Sequence, residues 1–431
     1  MSFKSTIMDE RILNSPGFLF EEGNASGKRG LNIFYLLLFV GFFLSLYGLQ
    51  KFPLLFFLNK ACAGLLIIVS FLSTQKFYTS TVLKWYGIFM VVVFLAGSLV
   101  ATNPESHADT FFKMVQLLLI LIAISQFYIF AGDVRFFAAG IVIVGIMMCF
   151  VGRFLDPDIA FSGKIERYSS ITKNSNGFAF QLLFSSVAAL YFWDRGKLMT
   201  KVIIVGLLGF FLYYISISGS RKSLVSFAVV IMSWIFFSFK LKKQISYFFA
   251  IFLVGAIAGS YLYTLLEDTA VFVRFSQLED NTGGTDIRKS LYAEAFEVFK
   301  SSPVVGVGLN NFREYSYSGL YAHSNYMELL ADTGIIGFVL FFTLYLRIWL
   351  NSNKLNKLHD NKESVLAYTG LFKTSLILLG TISLGAVMYD SIPHWVLLLL
   401  PIVVYEKERM SVASIDEEEF TPQEEALLNA E

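Results

Sequence analysis

The chain has 431 residues, of which 55% are hydrophobic and only 16% are charged, and its net charge is +1. Because a soluble domain carries about 25% charged residues, this composition excludes an ordinary soluble protein and predicts a polytopic membrane protein. The sequence contains no Walker loop, HExxH or dinucleotide fingerprint, so we expect no cofactor, and we expect no nucleic-acid partner.

Twelve apolar stretches are long enough to cross about 30 Å of hydrocarbon. They lie at 31–50, 54–72, 84–102, 111–130, 134–152, 177–193, 198–217, 222–239, 245–265, 334–350, 365–388 and 392–405. The sequence therefore predicts an all-α polytopic membrane protein of about twelve transmembrane helices. Its predicted parts are an N-terminal tail (1–30), nine helices (31–265), a large, partly helical outer loop (266–333), three helices (334–405) and an acidic tail (406–431).

Lysine and arginine in the short loops predict the orientation, because cytoplasmic loops are enriched in both. With the N-terminus inside, every inner loop carries at least one of them, from positions 28–29 to positions 407–409. Both termini are therefore predicted to be cytoplasmic. Three outer segments also carry positive charge, and their main cations are Arg167, Arg221, Lys222 and Arg288.

A surface helix is predicted inside the long loop, in the run TDIRKSLYAEAFEVFKSS. Leu291, Ala295, Val298 and Phe299 form an apolar stripe at helical spacing, which predicts that this helix lies against the membrane surface. Arg288 falls in its first turn, where a cation opposes the helix dipole. We therefore expect Arg288 either to pair with a nearby carboxylate and solvent or to face an anion.

His323 stands where the long loop meets the next apolar helix. Ser324 and Asn325 both suit a helix N-cap. Glu328 lies three positions beyond Asn325, which predicts a helix start that resembles a capping box. Two glycines at positions 334 and 337 have the spacing that lets another helix approach closely in a membrane. The simplest interpretation of His323 is an ordinary interfacial histidine with one hydrogen bond; its polar and cationic surroundings favour a chemical role.

The outer-face cations and His323 suit one kind of chemistry. Arginine binds phosphate through its bidentate guanidinium fork, and histidine takes a proton from a hydroxyl near neutral pH. Without acidic metal ligands, such a set fits the metal-independent attack of a hydroxyl on a carbon that bears a diphosphate leaving group. The candidates to stack on sugar faces are Tyr315, Tyr317 and Tyr321.

Two segments near His323 carry a resemblance to a known family. The run HSNYMELLADTGIIG is similar to the His-[Asn/Ser/Gln]-x9-Gly-x-x-Gly signature of the O-antigen ligases and Wzy-type polymerases. Its fixed positions fall on His323, Ser324, Gly334 and Gly337. The run PVVGVGLNNF resembles the family's HPLxGxGxGxF stretch, with serine at position 302 where histidine is common and Asn310 where a glycine often stands.

Two earlier segments extend the resemblance, which covers about residues 160–345. SGSRKSLVSF is similar to the family's Ser-Arg-Gly turn, with Lys222 in place of the glycine. RYSSITKNSNGFAF resembles its Arg…Asn-x-Asn-x-x-Ala segment. The resemblance implies a GT-C-like membrane fold and an inverting glycosyltransferase that uses undecaprenyl-diphosphate-linked glycans.

The same resemblance implies a set of site residues. His323 would be the catalytic base, and Arg221 and Arg288 would clamp the diphosphate. Arg167 and Lys222 are further candidates for diphosphate binding. For the glycan, the candidates are Tyr315, Tyr317, Tyr321 and Asn325.

Three functions remain open from the sequence. The first is a glycosyltransferase of the bacterial inner membrane with its site facing the periplasm. It would be a surface-polysaccharide polymerase, with a chain-length regulator as a possible partner, or else a ligase that joins the glycan to a lipid A core. The second is a transporter of the lipid-linked glycan, which needs polar groups near the middle of the membrane; Lys113 and Gln116 are the main ones that the sequence offers. The third is a non-catalytic partner in envelope assembly. Charge at the outer rim favours the enzyme.

Overall fold

The computed structural model describes residues 25–48, 51–74, 76–155, 168–172, 174–193, 196–251, 253, 272, 283–359 and 363–428, and within them every regular element is an α-helix. The helices before the long loop are α1 (Ala25–Gly48), α2 (Leu55–Leu72), α3 (Thr81–Ser98), α4 (Pro104–Phe130), α5 (Val134–Leu155), α6 (Ser175–Leu190), α7 (Leu198–Ile217) and α8 (Arg221–Ser238). Those that follow are α9 (Gly283–Ser301), α10 (Phe312–Tyr315), α11 (Asn325–Leu358), α12 (Glu363–Ser383) and α13 (Ile392–Leu428).

The predicted class, an all-helical polytopic membrane protein, is confirmed. Nine of the described helices are long and apolar enough to cross a membrane, and α6 is a shorter apolar helix. Eleven of the twelve predicted spans coincide with a helix. The twelfth, at 245–265, lies largely outside the described residues, although 241–251 are helical. The predicted acidic tail continues α13 as helix to Leu428, in keeping with the high helix propensity of glutamate, alanine and leucine.

Buried rings and a few polar side chains hold the bundle together. Lipid is as apolar as these rings, so stabilisation in the membrane comes from close packing and from hydrogen bonds between helices. Tyr47 donates to Gln181 Oε1 at 2.7 Å, and Tyr345 Oη lies 2.6 Å from His394 Nε2. The expectation that Lys113 and Gln116 are the main polar groups among the spans is therefore wrong. Gln181 and His394 are further polar side chains of the spans, and each has a protein partner.

Helix α9 is the predicted loop helix, but its apolar stripe faces protein. Leu291, Ala295 and Val298 are buried in a small cluster with Val307, Phe312, Ala322 and Ala331. The prediction that this stripe lies on the membrane surface is wrong, because the loop after α9 and the first turns of α11 cover it. Outside the stripe, Phe296 remains exposed.

Helix α11 is broken near its start. Gly334 has φ 61° and ψ −167°, which is not helical. The break frees backbone groups on both sides, and the segment 303–308 bonds to them. Val307 and Gly308 donate to the carbonyls of residues 331 and 332 at 3.0 and 2.8 Å, and the N–H groups of residues 335 and 336 donate to the carbonyls of residues 303 and 304 at 2.9 and 3.3 Å. The loop therefore supplies the partners that a continuous helix would have supplied.

Gly334 is required by both conformation and space. Its positive φ favours glycine, and a Cβ added there would lie 2.4 Å from the carbonyl carbon and oxygen of Val304. The neighbour that approaches Gly334 is thus a loop, so the prediction of a packed helix is wrong at this position. At Gly337 a helix does approach, because an added Cβ would lie 2.9 Å from Val93 of α3.

Candidate functional site

The start of α11 places His323 on a tightly held turn. Ser324 is the N-cap, and its hydroxyl accepts from the Met327 N–H at 3.5 Å. The Glu328 carboxylate accepts from the Ala322 N–H at 2.5 Å. The prediction of Ser324 as an N-cap residue is confirmed. The predicted capping box from Asn325 to Glu328 is wrong, because Glu328 reaches back to the Ala322 N–H. Both neighbours of His323 are anchored by these bonds.

His323 itself has an unusual backbone and a free ring. Its φ is +55°, a region that few residues other than glycine enter. The side chain is half-buried, and its ring centroid lies 4.0 Å from that of Tyr321. Within the described part of the chain no hydrogen bond joins a ring nitrogen of His323 to another residue. The hydrogen bond of the simplest interpretation is not made to another described residue, and a chemical role for His323 stays a prediction.

Cations surround the imidazole without bonding to it. Burial lowers the pKa of His323 below its ordinary value of 6.5, and the positive charges of Arg288, Lys222 and Arg313 lower it further. The ring is therefore neutral at pH 7, the form that can accept a proton. The surroundings combine a base with positive charge, as a site for an anionic leaving group requires.

Lys222 reaches the site across the loop between α12 and α13. Its Nζ donates to the carbonyl of Gly385 and lies 5.8 Å from the Phe180 ring centroid. A Cβ at Gly385 would lie 2.5 Å from that Nζ, so glycine leaves room for the lysine. The sequence ranks Lys222 below Arg221, but of the two the structure assigns an effect on His323 to Lys222.

Helix α9 brings Arg288 to the same place. Tyr292 lies one turn after Arg288 on the same helix face, and its hydroxyl donates to the carbonyl of Leu384 at 2.9 Å. Leu384 directly precedes the Gly385 that binds Lys222. Arg288 is exposed, so its guanidinium is accessible to a ligand.

The other predicted cations have different outcomes. Arg221 is the first residue of α8 and is half-buried, but it is not among the charges that act on His323. Arg167 lies outside the described residues. Arg313, which the sequence offers only as one of several loop charges, has its guanidinium 5.3 Å from the Tyr321 ring. Arg313 follows the glycine-rich run directly, and that position is the signal that could have singled it out.

The four predicted glycan contacts differ in their exposure. Tyr317 is 97% exposed, whereas the Tyr315 hydroxyl lies 2.7 Å from that of Thr102. The Tyr321 ring lies beside that of His323 and is tilted 51° from it. Asn325 is fully buried, and its Oδ1 accepts from the N–H groups of residues 388 and 389 at 2.8 and 3.0 Å. A glycan contact by any of the four stays a prediction.

Asp332 organises the loop under the site, and the sequence does not single it out. Its carboxylate accepts from the N–H groups of Asn310 and Phe312, each at 2.8 Å, and from the Tyr389 hydroxyl at 3.3 Å. Asn310 has φ +57°, and asparagine is one of the few residues that tolerate this conformation. This explains how asparagine stands where a glycine is usual in the motif.

His107, a residue of α4, also bonds to this loop. Its Nδ1 accepts the Leu309 N–H at 2.8 Å. Since that nitrogen carries no proton, the proton is on Nε2, which donates to the Phe94 carbonyl at 3.1 Å. The ring is almost completely buried. His107 is therefore a structural residue that ties α4 to the loop 303–312.

Metal-binding side chains do not gather in the described part of the protein. No group of three or more histidine, cysteine, aspartate or glutamate side chains there is arranged to hold a metal ion. Cys62 and Cys149 are buried free thiols. The positive charge at the candidate site comes from arginine and lysine side chains.

Comparisons with known proteins show which family this chain resembles. Residues 204–342 match the family model described as O-antigen ligase, a segment that contains His323 and the cations that act on it. A Rickettsia felis protein that carries the provisional name of a polysaccharide ligase is 24% identical over 361 residues, which cover 79% of this chain and 85% of that protein. Both comparisons confirm the resemblance to the O-antigen ligase family that the sequence predicts.

Proposed function

We propose that this membrane protein transfers a glycan from an undecaprenyl-diphosphate carrier to an acceptor hydroxyl, without a metal ion and with inversion at the anomeric carbon. The observation that carries the proposal is His323. It has a left-handed backbone conformation, a ring without hydrogen bonds to any other described residue, and three cations whose charges lower its pKa. Strained residues held by their surroundings cluster at active sites.

The proposed reaction is a single displacement. His323 takes the proton from the acceptor hydroxyl. At the same time the oxygen of that hydroxyl forms a bond to the anomeric carbon of the donor. The bond from that carbon to the diphosphate oxygen breaks on the opposite face, which inverts the centre. The leaving diphosphate gains negative charge, and Arg288, Lys222 and Arg313, with Arg221 at the rim, neutralise it in the transition state.

The acceptor defines two versions of this function. The sequence does not separate them, and the preference for a polymerase, in which the acceptor is a second lipid-linked glycan, rests on how frequent polymerases are in the family that the chain resembles. The description of the matching family model and the name of the Rickettsia felis relative both refer to ligases. These names favour a ligase, for which the acceptor would be a lipid A core.

The experiment uses purified protein in liposomes with EDTA present. It receives a lipid-linked oligosaccharide donor and, in separate reactions, a second lipid-linked glycan or a lipid A core. Mass spectrometry of the product identifies the acceptor, and NMR of the new linkage reports inversion. Passage of the donor across the bilayer without a new linkage would favour the transporter and would contradict the proposal.

The proposed orientation places His323 at the outer face of the bacterial cytoplasmic membrane and both termini inside. Ser318 and Lys357 are exposed on either side of the α11 span, so single cysteines at these positions test it. An impermeant thiol reagent added to cells should label position 318 and not position 357. The two native cysteines are buried and should give little background. The reverse pattern would contradict the orientation.

A further inference from the structure

A second cationic site lies at the opposite end of α11 from His323. A cavity of about 180 Å³ opens there beside the first turn of α3 and the middle of α13. Arg347 lies roughly 30 Å along α11 from the start of that helix. The lining residues that matter are Thr81, Arg347, Asn351, Lys354, Glu406 and Arg409.

One carboxylate and three cations line this cavity, and the carboxylate is already occupied. Glu406 is almost completely buried. It accepts from the Tyr78 hydroxyl at 2.9 Å and pairs with Arg409 Nε at 3.1 Å. Glu406 therefore balances Arg409, and the charges of Arg347 and Lys354 remain.

Arg347 and Lys354 have no anionic partner among the described residues. The Arg347 guanidinium lies over the Trp85 ring, 4.3 Å from its centroid. Its Nε is buried and bonds to no described residue, an arrangement that costs free energy unless a ligand supplies the acceptor. Lys354 is exposed at the mouth of the cavity.

We propose that this cavity binds a phosphate group. Phosphate oxygens accept from the arginine fork in a bidentate manner, and the N-terminus of α3 adds a favourable dipole. The site lies at the end of a membrane-spanning helix, so the phosphate can belong to an anionic phospholipid headgroup or to a free anion. The ligand class is the same in both cases. The site is separate from His323 and does not depend on glycan transfer.

The test measures thermal unfolding of the full-length protein in a neutral detergent, without any glycan donor. Phosphatidylglycerol, phosphatidylcholine, inorganic phosphate and sodium chloride at matched ionic strength are added in parallel. A rise in Tm with phosphatidylglycerol alone identifies a lipid headgroup. A rise with inorganic phosphate beyond that with chloride identifies a free anion. No rise with either phosphate source overturns the proposal.

Variants locate the effect. Arg347→Gln and Lys354→Gln should each raise the Kd for the phosphate ligand about tenfold, because each loses a charge-assisted hydrogen bond. Lys357→Gln is the matched control, since Lys357 is exposed on the same helix and does not line the cavity. If Arg347→Gln fails to fold, Lys354→Gln carries the test because its side chain is exposed. Equal Kd values for Lys354→Gln and Lys357→Gln overturn the proposal.

Discussion

Two histidines are associated with the polar loop between α9 and α11: His107 bonds to it and His323 belongs to it. His107 is buried, both of its ring nitrogens are bonded, and its ring is parallel to that of Phe94. His323 is half-buried and makes no hydrogen bond within the described residues. The difference teaches that the surrounding backbone decides whether a histidine ring is bonded. The Leu309 N–H donates to Nδ1 of His107, whereas His323 stands on a left-handed turn without such a partner among the described residues.

The largest expected effect is on catalysis by the His323→Ala variant. Loss of a general base lowers the rate about 10²–10⁴-fold, whereas the loss of a ring without hydrogen bonds should leave Tm nearly unchanged. Glycan transfer and thermal unfolding of the purified variant measure the two effects. Near wild-type transfer by a folded His323→Ala protein would remove the distinction between the two histidines.

The His107→Ala variant should show the opposite pattern. It leaves the Leu309 N–H unsatisfied and opens a cavity beside Phe94, so we expect about 2 kcal/mol of destabilisation. Thermal unfolding in detergent should show a lower Tm, and the protein that stays folded should keep most of its turnover. If a folded His107→Ala protein kept its Tm and lost its turnover, the assignment of the chemistry to His323 would be wrong.

The next effect concerns the leaving group. Arg288→Lys keeps the charge but loses the bidentate fork, so kcat should fall about tenfold, as expected for one charge-assisted hydrogen bond. Lys289→Arg on the same exposed turn is the control and should be neutral. Equal kcat values for the two variants would indicate that Arg288 acts only through its distant charge.

A smaller effect is expected on the pH profile. Because burial and nearby cations lower the pKa of His323, the acidic limb of kcat/KM should lie at lower pH than it would for an ordinary histidine. Arg313→Gln removes one of the charges that disfavour protonation, so the pKa should rise and the acidic limb should move to higher pH. Lys300→Gln is the control, because Lys300 pairs with Glu297 and is far from His323 in sequence. This variant should leave the acidic limb in place. Movement of the limb to lower pH in Arg313→Gln would contradict the assignment.

The smallest effect is expected for Tyr317→Ala. The ring is almost fully exposed, so stability should change by less than about 0.5 kcal/mol. If the ring stacks on the acceptor sugar, KM for the acceptor should rise about threefold, and Tyr317→Phe should restore it. An unchanged KM would remove Tyr317 from the glycan site.

Much of the fold follows from the sequence because a membrane leaves few alternatives. Apolar length alone identifies the spans, and eleven of them are helices in the structure. The place of His323 just before a helix could be predicted from the sequence around it, whereas its role as a base stays a prediction. The role of Asp332 could not be found in this way, because its partners are the backbone N–H groups of residues 310 and 312, and sequence patterns do not record backbone contacts.

The broken helix shows why spacing misleads in such regions. Gly334 and Gly337 have the spacing of a helix-packing pair, but φ +61° at Gly334 ends one helix and begins another. The sequence ranks Lys222 below Arg221 for a similar reason. Its approach to Gly385 depends on the loop between α12 and α13, which is distant from it in sequence.

The break at Gly334 also has a consequence for biogenesis. As an uninterrupted segment, α11 would carry the acids Glu328 and Asp332 into the bilayer, at an insertion cost of roughly 2.5–3.5 kcal/mol for a central carboxylate. The break separates them from the helical run that begins at Ile335 and continues to Leu358, which is long enough to span. The nascent chain can therefore insert that run first and dock the segment 325–333 onto its loop afterwards. Selection on the acids of the site is thereby separated from selection on membrane insertion.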